Sequence, residues 1–402
     1  MTQNASLHPL RNPNFRLLWM GSGLSSIGDQ FYMVALPWLI LQLTGSGAVL
    51  GGIMMIGAVP RSVLMLVGGA VTDRISPRRV MMTTASCRTV LVVAIAALLW
   101  THRLQLWQLY ALVFFFGVAD AFAAPAAQTF LPSLVSAEQL PAANSVSQAT
   151  SQLTTLAAPA PAGIIVNALG IAWAFFIDAV SFLFILAALW KLPDPPLPAS
   201  GAHPQKMLRS ILDGLLYVKN DVALRSLLLV IAVLNFCITG PFSVGLAFLS
   251  KKQFGSPAAF GLLISSLAAG GLAGMLLAGV WKLRRRGLLL LTVCIFIGLC
   301  QSSIGLFHRF WSLALLLFVM SAASGFMNVQ LIAWFQQRVD RVLLGRVMSV
   351  LIFAAVGLAP FSLAAAGIAI QWSLPGMFAV AGAAVVAVTL LASTHRPVRE
   401  IE

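Results

Sequence analysis

Charge is what this chain has least of. Only 9% of its 402 residues are Asp, Glu, Lys or Arg, while 59% are hydrophobic. A soluble domain carries about 25% charged residues, so a water-soluble globular fold is excluded and a chain that crosses a bilayer many times remains. Acid is scarcer than base, with 11 Asp and Glu against 25 Lys and Arg. The resulting +14 does not point to nucleic acid, because the basic residues, Arg61 apart, lie in or beside the ends of apolar runs and the turns between them. Cysteine is also rare. Cys87, Cys237, Cys294 and Cys300 all lie in apolar runs without paired spacing, which predicts buried thiols and neither disulfide nor metal site. The five histidines, His8, His102, His203, His308 and His395, fall in loops or at ends, leaving a histidine-based membrane catalyst without residues. No glycine loop with Lys and Ser/Thr is present to hold a nucleotide phosphate, so ATP is not the expected energy source. No nucleophile–base or metal cluster is visible, and neither an enzyme nor a cofactor is expected. The N-terminus lacks the charged region, short apolar core and cleavage site of a signal peptide, so none is expected to be removed.

What is present is a set of long apolar runs punctuated by short polar turns. The informative turn is Gly69-Ala-Val-Thr-Asp73-Arg74-Ile-Ser76-Pro77-Arg78-Arg79. The runs on either side exceed the ~20 residues that an α-helix needs to cross ~30 Å of hydrocarbon. Three arginines beside one aspartate place this turn in the cytoplasm, since Lys and Arg in short loops are retained inside. Counting from there gives runs at about 15–43, 48–72, 80–100, 105–130, 141–168 and 171–192. After a Pro-rich polar stretch the runs resume at 222–250, 257–281, 287–307, 310–335, 343–371 and 373–394. The expected fold is an all-α membrane protein of twelve transmembrane helices in two pseudo-symmetric six-helix bundles. Its expected parts are residues 1–192, a cytoplasmic linker at 193–221, and residues 222–402, with both termini inside an inner (cytoplasmic) membrane. On this count Arg103, Lys251, Lys252 and Arg309 fall outside and Arg61 falls within a run; every other Lys and Arg lies in or beside the cytoplasmic segments, facing anionic lipid. Weak internal repetition supports the division: Gly279 to Arg286 occupies the place of the 69–79 turn, and Ala158-Pro159 is echoed by Ala359-Pro360.

The 69–79 pattern resembles the turn between the second and third helices of the major facilitator superfamily, with Ser76 where a second glycine is usual. Serine is less free than glycine at positive φ. Further resemblance is carried by Arg11-Asn-Pro-Asn-Phe15-Arg16, Gly28-Asp29, Gly117-Val-Ala-Asp120-Ala-Phe122, Asn144-Ser145, Asp178-Ala-Val-Ser-Phe182 and Leu344-Gly345-Arg346-Val-Met348-Ser349. Within the superfamily the chain is similar to the efflux branch that includes macrolide-efflux and enterobactin-exporter-like proteins. The resemblance implies alternating access between two six-helix halves, export coupled to proton entry, and a monomer. Superfamily exporters often carry Gly-Pro, two residues, Gly-Gly in the fifth helix. Here the stretch reads Ala158-Pro159-Ala-Pro161-Ala162-Gly163, so Pro159, Pro161 and Gly163 are expected to bend and pack that helix.

Charges inside hydrocarbon cost at least ~2.5 kcal/mol each at a helix centre, so they mark function. Asp29, Arg61 and Asp120 fall ~20, ~18 and ~15 Å from the cytoplasmic landmarks Arg16, Asp73 and Phe130, at ~1.5 Å rise per residue. In the family fold the first, second and fourth helices are neighbours, which gathers the three at one level. Asp29 and Asp120 are therefore the expected proton-binding carboxylates, with Arg61 tuning them through contacts that change with conformation. Asp178, about eight residues into its run, is expected to make a structural bond. Arg88, about nine residues beyond the 73–79 turn, is expected to snorkel to the interface as an anchor. A conformational latch is expected from Gly69, Asp73, Arg74, Arg78 and Arg79, with the helix start at Gly345 and Arg346 as partner for the Asp73 carboxylate.

The second half has no buried acid. Its neutral polar groups, among Phe, Met and Trp, suit a cavity for an amphipathic molecule. Gln30, Tyr32, Met33, Asn235, Thr239 and Asn328 are the expected cavity residues, although Ser and Asn in membrane helices also serve as helix–helix bonds. The function expected is secondary active export of a small amphipathic compound, a drug or siderophore-like product, in exchange for protons, with membrane lipid as surroundings. Proton-coupled uptake, lipid flipping and a non-transporting receptor are the alternatives.

Overall fold

The computed structural model describes residues 9–72, 75–194, 222–280, 286–338 and 357–394. Among the described residues there is helix and turn, and no strand. The first helices are α1 (Pro13–Thr44), α2 (Gly47–Thr72), α3 (Pro77–Trp100) and α4 (Leu106–Phe130). They are followed by α5 (Leu140–Ala157), α6 (Pro159–Leu169) and α7 (Ile171–Lys191). The later ones are α8 (Val222–Gly240), α9 (Leu246–Gln253), α10 (Pro257–Val280), α11 (Arg286–Ser303), α12 (Phe310–Arg338), α13 (Ala359–Trp372) and α14 (Leu374–Ser393). Eleven spans among them are long and apolar enough to cross a membrane, α5 with α6 and α8 with α9 each counting as one, and α13 is a shorter apolar helix. The run expected at 343–371 is seen only as α13, because residues 339–356 lie outside the described ones.

The outer faces confirm the solvent. Trp100, Trp107, Trp190, Trp311 and Trp372 are exposed and each stands at, or one residue from, the end of its helix. Tryptophans there match the aromatic belts of membrane proteins, where an apolar ring with one polar N–H meets the headgroups.

Two compact units are present, Met1–Leu39 with Ile56–Pro204, and Ile40–Met55 with Gln205–Glu402. In the first, α3 packs along both α4 and α7. Phe15, Val92, Ile95, Phe130 and Phe175 are fully buried there. In the second, α10 lies along α12 and α11 along α14. Gly270 and Gly274 of α10 lie against the main chain at Phe318 and Ala322 of α12, so close that a Cβ at either glycine would enter the neighbouring carbonyl. Without a hydrophobic force between helices in lipid, such small-residue seams supply the packing.

α5 gives way to α6 at Ala158. Pro159 and Pro161 have no N–H to donate, which interrupts the ladder, while Ala162 and Gly163 are buried in the packing face. Cys237, Cys294 and Cys300 are buried, but Cys87 is exposed, contrary to expectation. Arg88 next to it turns into the unit, and a residue ~100° further round α3 must then face out.

Candidate functional site

The first unit holds a line of charges that four helices bring together. α3 begins at Pro77, so Arg88 lies ~17 Å up the helix, well inside the hydrocarbon. Its guanidinium donates to an Asp29 carboxylate oxygen from α1 and approaches Asp120 Oδ1 of α4 at 3.7 Å. The other oxygen of Asp120 lies 3.2 Å from Nε of Arg61 on α2. The order is Arg61, Asp120, Arg88, Asp29: two cations alternating with two anions.

Aromatic rings enclose the centre. Arg88 Cζ stands 4.8 Å from the Phe116 ring centroid and 4.4 Å from that of Phe182. Tyr32 stacks on Phe116, 4.3 Å away and nearly parallel to it, and meets Phe175 nearly at right angles at 5.8 Å. Cation–π contacts strengthen where water is excluded, and the Arg88 side chain is only 12% exposed. The guanidinium serves both carboxylates because its donors are fixed in a planar fork; a lysine ammonium would offer a point charge.

One expectation is corrected here. Arg88 is not an interfacial anchor: two carboxylates and two rings hold it inside the unit, an outcome more favourable than extending to the headgroups. Arg61 bonds to Asp120 at 3.2 Å with its side chain 59% exposed, and reaches Asp29 only through the longer-range attraction of its charge, while Arg88 donates to Asp29. Asp178 departs from expectation as well. It is fully buried, yet neither carboxyl oxygen has a well-formed hydrogen bond among the described residues.

The remaining residues are dispersed. Tyr32 is half-buried among the rings and its hydroxyl has no hydrogen-bond partner among the described residues, Gln30 is half-buried, and Met33 is exposed. In the second unit Asn235 turns its amide back to the Ile231 carbonyl, Thr239 is half-buried one turn further on, and Asn328 of α12 is exposed. Other polar side chains of that unit bond helix to helix: Ser266 Oγ donates to Ala314 O at 2.7 Å, and Ser362 Oγ accepts from Gly240 N at 2.7 Å. Gly69 lies within α2. Asp73, Arg74, Gly345 and Arg346 lie outside the described residues. Arg78 and Arg79 are engaged within their own unit. Arg78 donates to the carbonyls of Leu189 and Trp190 at 2.6 and 3.0 Å, and Arg79 pairs with Asp194 at 3.3 Å.

Solved structures share this helical arrangement. The nucleoside transporter NupG (D323A mutant) superposes with a TM-score of 0.77 at 12% identity, covering 95% of this chain and 99% of that one. A bacterial homologue of the iron transporter ferroportin, in an inward-facing state, gives 0.70 at 15% identity, covering 95% and 99%. These likenesses show the major facilitator fold.

Residues 4–402 match the model of the transmembrane secretion effectors, and the chain belongs to that family of major facilitator transporters. Macrolide efflux protein A of Streptococcus pyogenes is 25% identical over 346 residues, covering 83% of this chain and 84% of that protein. Multidrug efflux pump Tap of Mycobacterium tuberculosis is 26% identical over 369 residues, covering 89% and 87%.

Proposed function

We propose that the protein exports a small amphipathic compound in exchange for protons. Residues 1–192 and 222–402 would act as the two alternating halves, with both termini in the cytoplasm. The observation that carries the reading is Arg88 held between Asp29 and Asp120 among aromatic rings. A carboxylate released from Arg88 inside hydrocarbon is too costly to remain ionised without a partner, so conformational changes that move the guanidinium load or unload protons. Relatives named for macrolide and multidrug efflux support export of a drug-like compound over import. Gln30, Tyr32, Met33, Asn235, Thr239 and Asn328 are the residues proposed to meet it, and Asp73, Arg74 and the 345–346 stretch are proposed to latch the cytoplasmic side.

The test is proton release from the purified protein in weakly buffered detergent. Members of a panel of macrolides, lipophilic cations and catecholate siderophores are added to the parent, Asp29→Asn and Asp120→Asn. Release that follows one compound class and disappears in either variant is the expected result. Binding without release from the parent would overturn proton exchange.

A further inference from the structure

The line Arg61–Asp120–Arg88–Asp29 is balanced in charge, two against two, and Asp178 is one acid too many. Asp178 is 0% exposed on α7, with Phe175 and Phe182, one turn to either side, also buried. Ser181, the hydroxyl beside it, donates to the Asp178 main-chain carbonyl at 2.7 Å and stands close enough to bear on the carboxyl as well, but neither carboxyl oxygen has a well-formed hydrogen bond among the described residues. The carboxyl is lodged against Gly28, the residue before Asp29: a Cβ there would stand 2.7 Å from Oδ1. Its charged and titratable neighbours are Asp29 and Tyr32 on α1 and Arg88 on α3, with Asp120 of α4 beyond the guanidinium. Arg88 has a donor to spare, because its Nε–H is buried and has no hydrogen-bond partner among the described residues. An isolated carboxylate in an apolar interior costs far more than a neutral acid, so a carboxyl without well-formed hydrogen bonds there keeps its proton.

We propose that Asp178 is a further proton-binding site of this transporter, neutral in the conformation seen here and exchanging its proton with Asp29. The inference rests on the proton-exchange reading above. The step is balanced. The O–H bond of Asp178 breaks as an O–H bond forms on Asp29, directly or through one water, and Arg88 moves from Asp29 to Asp178 with the negative charge. The net charge of the cluster is unchanged, which lets a proton advance by one site without isolating a charge in hydrocarbon. Gly28 supplies the room for the two carboxyl groups to approach.

Two measurements on the full chain test this. Infrared spectra at neutral pH should show the carbonyl stretch of a protonated carboxylic acid in the parent and in Asp29→Asn, and its loss in Asp178→Asn. A band unchanged in Asp178→Asn overturns the proposal. In proteoliposomes with an imposed pH gradient, whichever compound binds from the panel above should be carried uphill by the parent. Asp178→Asn should still bind it yet fall to the passive rate, and gradient-driven transport at the parent rate overturns the proposal while leaving proton exchange intact. A parent indifferent to the gradient overturns proton exchange itself and this inference with it. Asp178→Ser, smaller than the native side chain, provides the same readouts if the asparagine variant does not fold.

Discussion

Arg88 decides more of the site than any other residue. It is the cation that stands between two anions of the line; Asp120 also pairs with Arg61, but Asp29 has no other ion-pair partner among the described residues. Removing one partner of a buried pair leaves the other uncompensated, which costs about 3–5 kcal/mol. Arg88→Ala should therefore lower the thermal unfolding temperature in detergent well below that of the parent, and Arg88→Lys should fall between, because it keeps the charge and loses the fork and the ring stacking. Adding Asp29→Asn to Arg88→Ala should recover part of the loss, since the double variant no longer buries an unpaired carboxylate. An Arg88→Ala protein as stable as the parent would show that the guanidinium does not hold the line together. Asp29 and Asp120 stood out in the sequence because an acid in an apolar run needs a partner, and the structure gives each an arginine. Arg88 did not stand out, because distance from a turn fits both an anchor and a buried cation. The usable signal was its neighbourhood: two acids at the same depth in adjacent helices require more than one cation, and Arg61 alone could not serve both.

At the scale of elements, apolar run length located the helices closely, since ~20 residues of unbroken hydrophobicity leave little freedom in lipid. What run length could not supply was the way ends are tied. Ser76, which stands where the family pattern has glycine, has φ −48°, so the position makes no demand for glycine. Its hydroxyl instead pairs with Asp194, a bond glycine could not make. Arg78 similarly belongs to the end of α7, where its guanidinium satisfies two carbonyls of the last turn and lies at the negative end of the helix dipole. Arg78→Ala should destabilise that end by about 1–2 kcal/mol, seen as faster amide hydrogen exchange confined to the last turn of α7. Arg79→Ala should change exchange little, because its pair with Asp194 is exposed and such pairs contribute at most about 1 kcal/mol. Equal effects of the two substitutions would mean that charge alone, and not the carbonyl cap, secures α7.

For the whole molecule, orientation follows from the distribution of Lys and Arg along the chain, a property no single contact displays. The turn that holds Ser76, Arg78 and Arg79 and the turn near Ser136 and Glu138 fall on the same side of the membrane by span count, while the turn at Thr101 to Arg103 falls on the other. The proposed orientation puts the side richer in Lys and Arg in the cytoplasm, as the retention of basic loops inside would have it. The buried cysteines Cys237, Cys294 and Cys300, with Cys87 exposed in the middle of the apolar span α3, make the native chain a quiet background for thiol labelling by a reagent that cannot cross the membrane. His102→Cys should react in intact cells, and Ser136→Cys only after the membrane is opened. The opposite pattern would place the basic turns outside and reverse the direction assigned to both proton and compound. The same experiment bears on mechanism, because the Asp178 end of α7 lies nearer Gly170 than Lys191. With His102 outside, Gly170 is at the outer face, and a proton arriving from there meets Asp178 before the carboxylates paired with Arg88, in the order that exchange for an outgoing compound requires.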